Sequence, residues 1–167
     1  MLSNSVELRK LSINDGKEEY YMLQKIGAEE NAFHNPVQGM RYADFKGWLE
    51  KMEAWSLGEK LDRGFVPQTI YWILLDGKPI GIGKIRHWLT DESRKFGGNI
   101  GCALAVDYRG KGYGTEAIKK LINKANVMGI NEKLVTIEKY NYASKKMVEK
   151  CGGVLVGENT QRWYFKV

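Results

Sequence analysis

The sequence predicts a mixed α/β fold, built on a largely antiparallel central sheet of six to seven strands with helices on both faces. Three observations carry this. Residues 68–75, QTIYWILL, are β-branched or aromatic and apolar on both faces, as a central strand requires. Asp76-Gly77 follows as a hairpin turn, which makes the middle of the sheet antiparallel. Helical apolar spacing recurs before and after this hairpin. A length of 167 residues predicts one domain, 1–167. A chain of that size hides about 70% of the surface its unfolded form exposes, so folding needs neither a metal nor disulfides.

Element by element, Val6 to Leu11 alternates weakly and reads as a first strand. Gly16 to Ile26, rich in Glu, Tyr, Leu and Lys, reads as a helix. Residues 28–40, AEENAFHNPVQGM, carry turn formers and read as a loop. Arg41 opens a longer helix, in which Tyr42, Phe45, Leu49 and Met52 recur at helical spacing and Trp48 and Trp55 extend the stripe. After the central strand and its turn, Pro79 to Trp88 is the return strand. Thr90 to Gly98 reads as a loop, and Asn99 to Val106 as a third compact strand. Behind a glycine-rich segment, Ala117, Ile118, Leu121, Ile122 and Ala125 form the apolar face of a helix. Lys133 to Tyr140 is the next strand. Asn141 caps a helix that runs to Cys151 and stops at Gly152-Gly153. Val154 to Gly157 and Arg162 to Val167 are the last two strands.

Composition excludes several classes. With 3 Pro and 19 Gly the chain is neither disordered nor collagenous. Its 2 cysteines, Cys102 and Cys151, build neither a disulfide scaffold nor a zinc site, and they fit a reducing, cytoplasmic setting. MLSNSVELRK lacks the apolar core of a signal peptide, and no apolar run reaches the roughly 18 residues of a membrane span. The net charge of +6 suits an anionic ligand. The basic residues are scattered, without the aromatic interleaving of a single-strand binder, so nucleic acid is not the expected partner.

The chemistry concentrates in Arg109-Gly110-Lys111-Gly112-Tyr113-Gly114, which follows a strand and opens a helix. Such a loop aims free backbone N–H groups and the positive end of the helix dipole at one point, and a phosphate is its natural ligand. Gly110, Gly112 and Gly114 leave room for it, and Arg109 and Lys111 can add charge-assisted bonds. A Walker A loop would need Ser or Thr after Gly110-Lys111, where Gly112 stands. A Rossmann loop would need G-x-G-x-x-G near the start of a parallel βαβ unit. Tight packing alone is the other reading of these glycines.

The segment resembles the R-x-x-G-x-G motif of the GNAT superfamily, the acetyl-CoA-dependent N-acyltransferases. Asn141 and Ser144 at the start of the next helix resemble the family's N-x-x-A/S pattern. The likeness is strong over residues 68–153 and extends by element order to the whole chain. VPQTIYW, IRHWL and GGNIG also resemble a subgroup of predicted acetyltransferases. The resemblance implies acetyl-CoA, or another acyl-CoA, as donor, with no metal. Its pyrophosphate would rest on the N–H groups of residues 110–115, which include Tyr113 and Thr115. Its pantetheine arm would pair like an added strand with Leu104, Ala105 and Val106, in a slot between splayed strands ending at Val106 and Tyr140. Asn141 and Ser144 would contact the arm or the departing thiol.

The implied reaction is attack of a neutral amine on the thioester in a ternary complex, with the oxyanion held by an N–H near Ala105 or Val106. The acceptor would be a small molecule or a peptide amine, and the protein a monomer or homodimer. Two familiar residues are missing. The usual glutamate base falls near Asn99, and the usual tyrosine acid falls at Val148, so Val148→Tyr is expected to be neutral or helpful. Glu30, in the loop between the first two helices, and His87, on a strand flanking the centre, are the substitute candidates for acid–base work. Glu29 is a further carboxylate of that loop, His34 is expected on the surface, and Cys102 has no partner that would make it a nucleophile. A non-catalytic CoA-binding module and a basic nucleic-acid-binding domain are the competing readings.

Overall fold

A computed structural model describes residues 4–167. The chain runs β1 (Val6–Lys10), α1 (Lys17–Gln24), β2 (Glu29–Glu30), β3 (Phe33–His34), α2 (Tyr42–Ser56), β4 (Gln68–Leu75), β5 (Lys78–Arg86), α3 (Asp91–Phe96), β6 (Ile100–Leu104), α4 (Tyr113–Val127), β7 (Leu134–Glu138), α5 (Tyr142–Lys150), β8 (Val154–Glu158) and β9 (Arg162–Lys166), with a short 3-10 turn at Val106–Tyr108. The fold is the expected mixed α/β one. Its strands form an antiparallel sheet in the order β1-β4-β5-β6, a second antiparallel sheet β7-β9-β8, and the separate hairpin β2-β3.

β4 is buried along almost its whole length because both of its faces are covered. Ile70, Trp72 and Leu74 point into one core with α1 and α2, through Leu23, Ile26, Phe45 and Leu49. Tyr71 points the other way, with Ile85 and Ile100, into a core completed by Ile118 and Leu121 of α4, Val148 of α5 and Val135 and Ile137 of β7. This is why the segment shows no alternation: each side chain meets a helix layer. Burying each of the larger aliphatic side chains is worth about 1.5–3 kcal/mol.

Two elements depart from expectation. Residues 91–96, expected as loop, form α3, with Thr90 accepting the Ser93 N–H at 3.1 Å and Ser93 Oγ accepting the Thr90 N–H at 2.8 Å. No residue of α3 is buried, so it has no apolar period to read. The expected loop 28–40 contains the β2-β3 hairpin, closed by Asn31 and Ala32 at φ 51° and 62°. Paired positive φ values are the geometry of a two-residue hairpin turn.

β6 and β7 form no ladder with each other, and Asn99 sets where they part. Its N–H donates to Leu134 O at 2.7 Å and its carbonyl accepts Arg86 N–H at 2.7 Å. Its side chain repeats the pattern, Nδ2 donating to Arg86 O at 3.1 Å and Oδ1 accepting Leu134 N–H at 2.9 Å. A buried asparagine thus acts as one extra peptide unit joining β5 to β7. Past it the strands diverge.

Candidate active site

The divergence leaves a cleft of about 280 Å³ between Cys102, Ala103 and Leu104 on one side and Asn141, Ser144 and Met147 on the other, beneath Gly110 and Gly112. Its inner end, about 70 Å³, reaches Gly101, Thr136, Ile137 and Val148. Gly112 caps α4 at φ 87°, and Gly110 lies at φ 72°. A Cβ on either would meet no protein atom within 4 Å, so their need for glycine is conformational. Gly114 differs, since a Cβ there would stand 2.7 Å from Met147 Sδ. Its role is to let α4 approach α5.

The N–H of Arg109 is used by Val106 O and that of Glu116 by Gly112 O. Between them, residues 110–115 donate no backbone hydrogen bond among the described residues. Six consecutive free amides at the start of a 15-residue helix form an anion cradle.

The expected cations are engaged elsewhere. Arg109 Nε donates to Leu104 O at 2.9 Å, and its two Nη atoms clasp the Glu30 carboxylate, one at 2.9 Å and the other closer. Lys111 Nζ donates to Asp107 O at 2.8 Å. The cradle therefore relies on backbone. Glu30, expected as a base, is held by Arg109 and by the Gly27 N–H down to a pKa of about 2. A carboxylate so stabilised is a weak proton acceptor, and its geometry makes it the anchor of the β2-β3 hairpin on the glycine loop.

His87, the other candidate, lies at the wrong end of the sheet. It borders a different cavity of about 480 Å³ with Trp88 and Lys133, beside Asn99 and so at the far end of β6 from Leu104. Its Nε2 shares a hydrogen bond with Thr69 Oγ1 at 2.8 Å. Burial, with a smaller push from Lys10, lowers its pKa.

Of the three residues expected to pair with a ligand strand, Ala105 turns inward, donating its N–H to Ile80 O at 2.9 Å. The open edge of β6 belongs by alternation to Cys102 and Leu104. The Leu104 carbonyl is already taken by Arg109. The Leu104 N–H and, beyond the strand, the Val106 N–H are left as edge donors, which removes Ala105 as an oxyanion donor. Asn141 caps α5 by accepting the Ser144 N–H at 3.2 Å, and both residues line the cleft. Cys102 also lines it, with burial pushing its thiol up to about 12, so it is no nucleophile. Val148 is 1% exposed and packs against Gly153, so a tyrosine there would press on the core.

Sequence reasoning missed a pair on the hairpin. Glu29 and His34 face each other across β2-β3, and His34 Nδ1 bonds the Glu29 carboxylate. His34 opens onto a pocket of about 600 Å³ under α2, walled by Trp48, Trp55 and Phe65 and floored by Ile70, Ile82 and Lys84. The only sequence signal was an acid five residues before a histidine, in a segment without period. Among the described residues no cluster of His, Cys, Asp or Glu could hold a metal ion, and no helix is long and apolar enough to cross a membrane.

The model of the acetyltransferase (GNAT) domain matches residues 6–154, and the chain belongs to this family. No curated protein matches it in sequence. In structure it is similar to the microcin C7 self-immunity acetyltransferase MccE in complex with acetyl-CoA and AMP, at TM-score 0.71 and 20% identity over 99% of this chain and 93% of that one. It is similar to RimL, the ribosomal L7/L12 α-N-protein acetyltransferase in complex with coenzyme A, at 0.74 and 14% over 100% and 96%. The ribosomal-protein-S5-alanine acetyltransferase of Vibrio fischeri aligns at 0.73 and 13% over 97% and 92%.

Proposed function

We propose that the chain is an acetyl-CoA-dependent N-acetyltransferase, acting as one domain on an amine bound in the pocket under α2. The observation that carries this is the run of six free amides at residues 110–115, opening directly onto the cleft between β6 and β7. The amides fit a pyrophosphate, and the cleft's open strand edge fits an extended amide-bearing arm. Family membership supports the same donor.

In this reading the amine attacks the thioester carbonyl at the open edge of β6. A C–N bond forms, the C–S bond breaks, and CoA departs as thiolate. The Leu104 or Val106 N–H stabilises the oxyanion. The amine's proton goes to His34, which Glu29 orients and which opens onto the pocket. Holding amine and thioester together supplies much of the acceleration. Calorimetric titration with acetyl-CoA tests the donor site directly. Saturable binding that Gly112→Asp removes supports the reading, and absence of binding by the wild type overturns it.

A further inference from the structure

The pocket under α2 contains charges of both signs, and all but one have a hydrogen-bond or ion-pair partner. Asp44 pairs with Arg41 at 2.8 Å, and Asp62 with Lys51 at 2.7 Å. Arg86 Nη1 donates to Gly98 O at 2.9 Å. Glu29 is engaged by His34. Lys84 on the floor is the exception. Among the described residues its ammonium makes no hydrogen bond and no ion pair, and it rests 4.8 Å from the centre of the Phe33 ring. Burial, with Arg86 two residues along the strand, holds its pKa down to about 8, against the pull of Glu29. This partly buried cation on the floor of a largely apolar cavity would gain from an anion brought by a ligand.

We propose that the pocket recognises an acceptor that carries its own anion, a carboxylate or a phosphate, beside the reacting amine and on an aromatic or large apolar body, with Lys84 as the counter-ion. This rests on the transferase reading. The body would sit among Trp48, Trp55 and Phe65, where the Trp55 and Phe65 rings already lie 4.8 Å apart at 47°. The sheet brings Lys84 close to the reacting strand. Lys84 stands opposite Gly101 in the β5–β6 register, and Gly101 lines the inner cleft. Adjacent strands are about 4.8 Å apart, so Lys84 stands on the strand next to the one that carries the oxyanion donors. An amino acid or its phosphonate analogue carries both an amine and an anion, and a long polyamine carries no anion.

The test uses three probes with one body: phenethylamine, phenylalanine and 1-amino-2-phenylethylphosphonate. Each is titrated into the CoA-loaded chain, following tryptophan fluorescence and heat. The wild type should bind at least one anionic probe about tenfold or more tighter than phenethylamine, as a charge-assisted bond predicts. The better of the two anions identifies the source. Lys84→Met should erase that ratio while leaving CoA binding unchanged. Lys84→Gln serves the same purpose if the methionine variant fails to fold. Equal affinities in the wild type, a ratio that survives both variants, or no saturable binding of any probe would overturn the proposal. Acetyl-CoA affinity is measured separately. Its absence breaks the transferase reading and leaves any anion preference at Lys84 standing, so the two failures are distinct.

Discussion

The two sides of the central sheet recognise ligands by different means. The α4–α5 side offers mainly backbone: six free amides, the open edge of β6, and two glycines that hold the loop in shape. The α1–α2 side offers side chains: three aromatic walls, the Glu29–His34 pair and the bare ammonium of Lys84. Backbone recognition needs little more than a glycine spacing and a helix start, so it survives almost complete replacement of the surrounding sequence. Side-chain recognition changes with each substitution. A fold shared at 13–20% identity with proteins of several names is what this division permits.

Gly112→Asp breaks the backbone side most severely. It sets a carboxylate beside the amides and forces a non-glycine residue to φ 87°. Acetyl-CoA affinity should fall at least about a hundredfold by calorimetry, while the strain costs the fold only about 1–2 kcal/mol. On the other side, His34→Ala should lower turnover about a hundredfold, the usual scale for a lost proton acceptor, with acetyl-CoA affinity unchanged. Equal loss of affinity in His34→Ala would erase the division.

Val148→Tyr probes the core on the α4–α5 side. Val148 is 1% exposed and borders only the narrow inner end of the cleft, so an added ring overpacks it and thermal unfolding should show a loss of about 1–3 kcal/mol. A gain in turnover at full stability would instead restore a thiol-side acid at this position. Glu30→Gln is the mildest. The Glu30 pKa lies near 2, below its ordinary 4.5, so its contribution is present above about pH 4.5 and is lost as pH falls through about 2. The melting difference between wild type and Glu30→Gln should be constant from pH 5 to 8 and shrink below that range. The pair is a third exposed, so the difference is small and decreases with salt.

Legibility followed the same division. β4 was visible because seven consecutive buried residues leave a composition signal, and the Asn141 cap because its signal is a single residue next to a helix period. The glycine loop was visible as a spacing. The hairpin was not, because strands of two residues have no period. The Glu30–Arg109 clasp was hidden for a different reason: its partners are 79 residues apart, and nothing local marks them as a pair. Glu30 was therefore expected as a base when its carboxylate was already committed. His87 was expected near the centre because a strand shows its alternation but not which end faces the cleft. Lys84 appeared in sequence only as a polar break in an otherwise apolar, glycine-rich strand.

The asparagine that joins β5 to β7 has a further consequence. An unpaired strand edge invites strands from other molecules, and proteins commonly blunt such edges with charge or a bulge. Here the unpaired edge of β6 is recessed between α5, the hairpin and the glycine loop, where Asn99 holds the gap open at one end. A polypeptide strand arrives with side chains above and below its plane and is too thick to enter. A thin unbranched chain with an amide at intervals is not. Asn99 thereby makes the sheet a sieve that sorts partners by cross-section, keeping this edge inaccessible to neighbouring proteins.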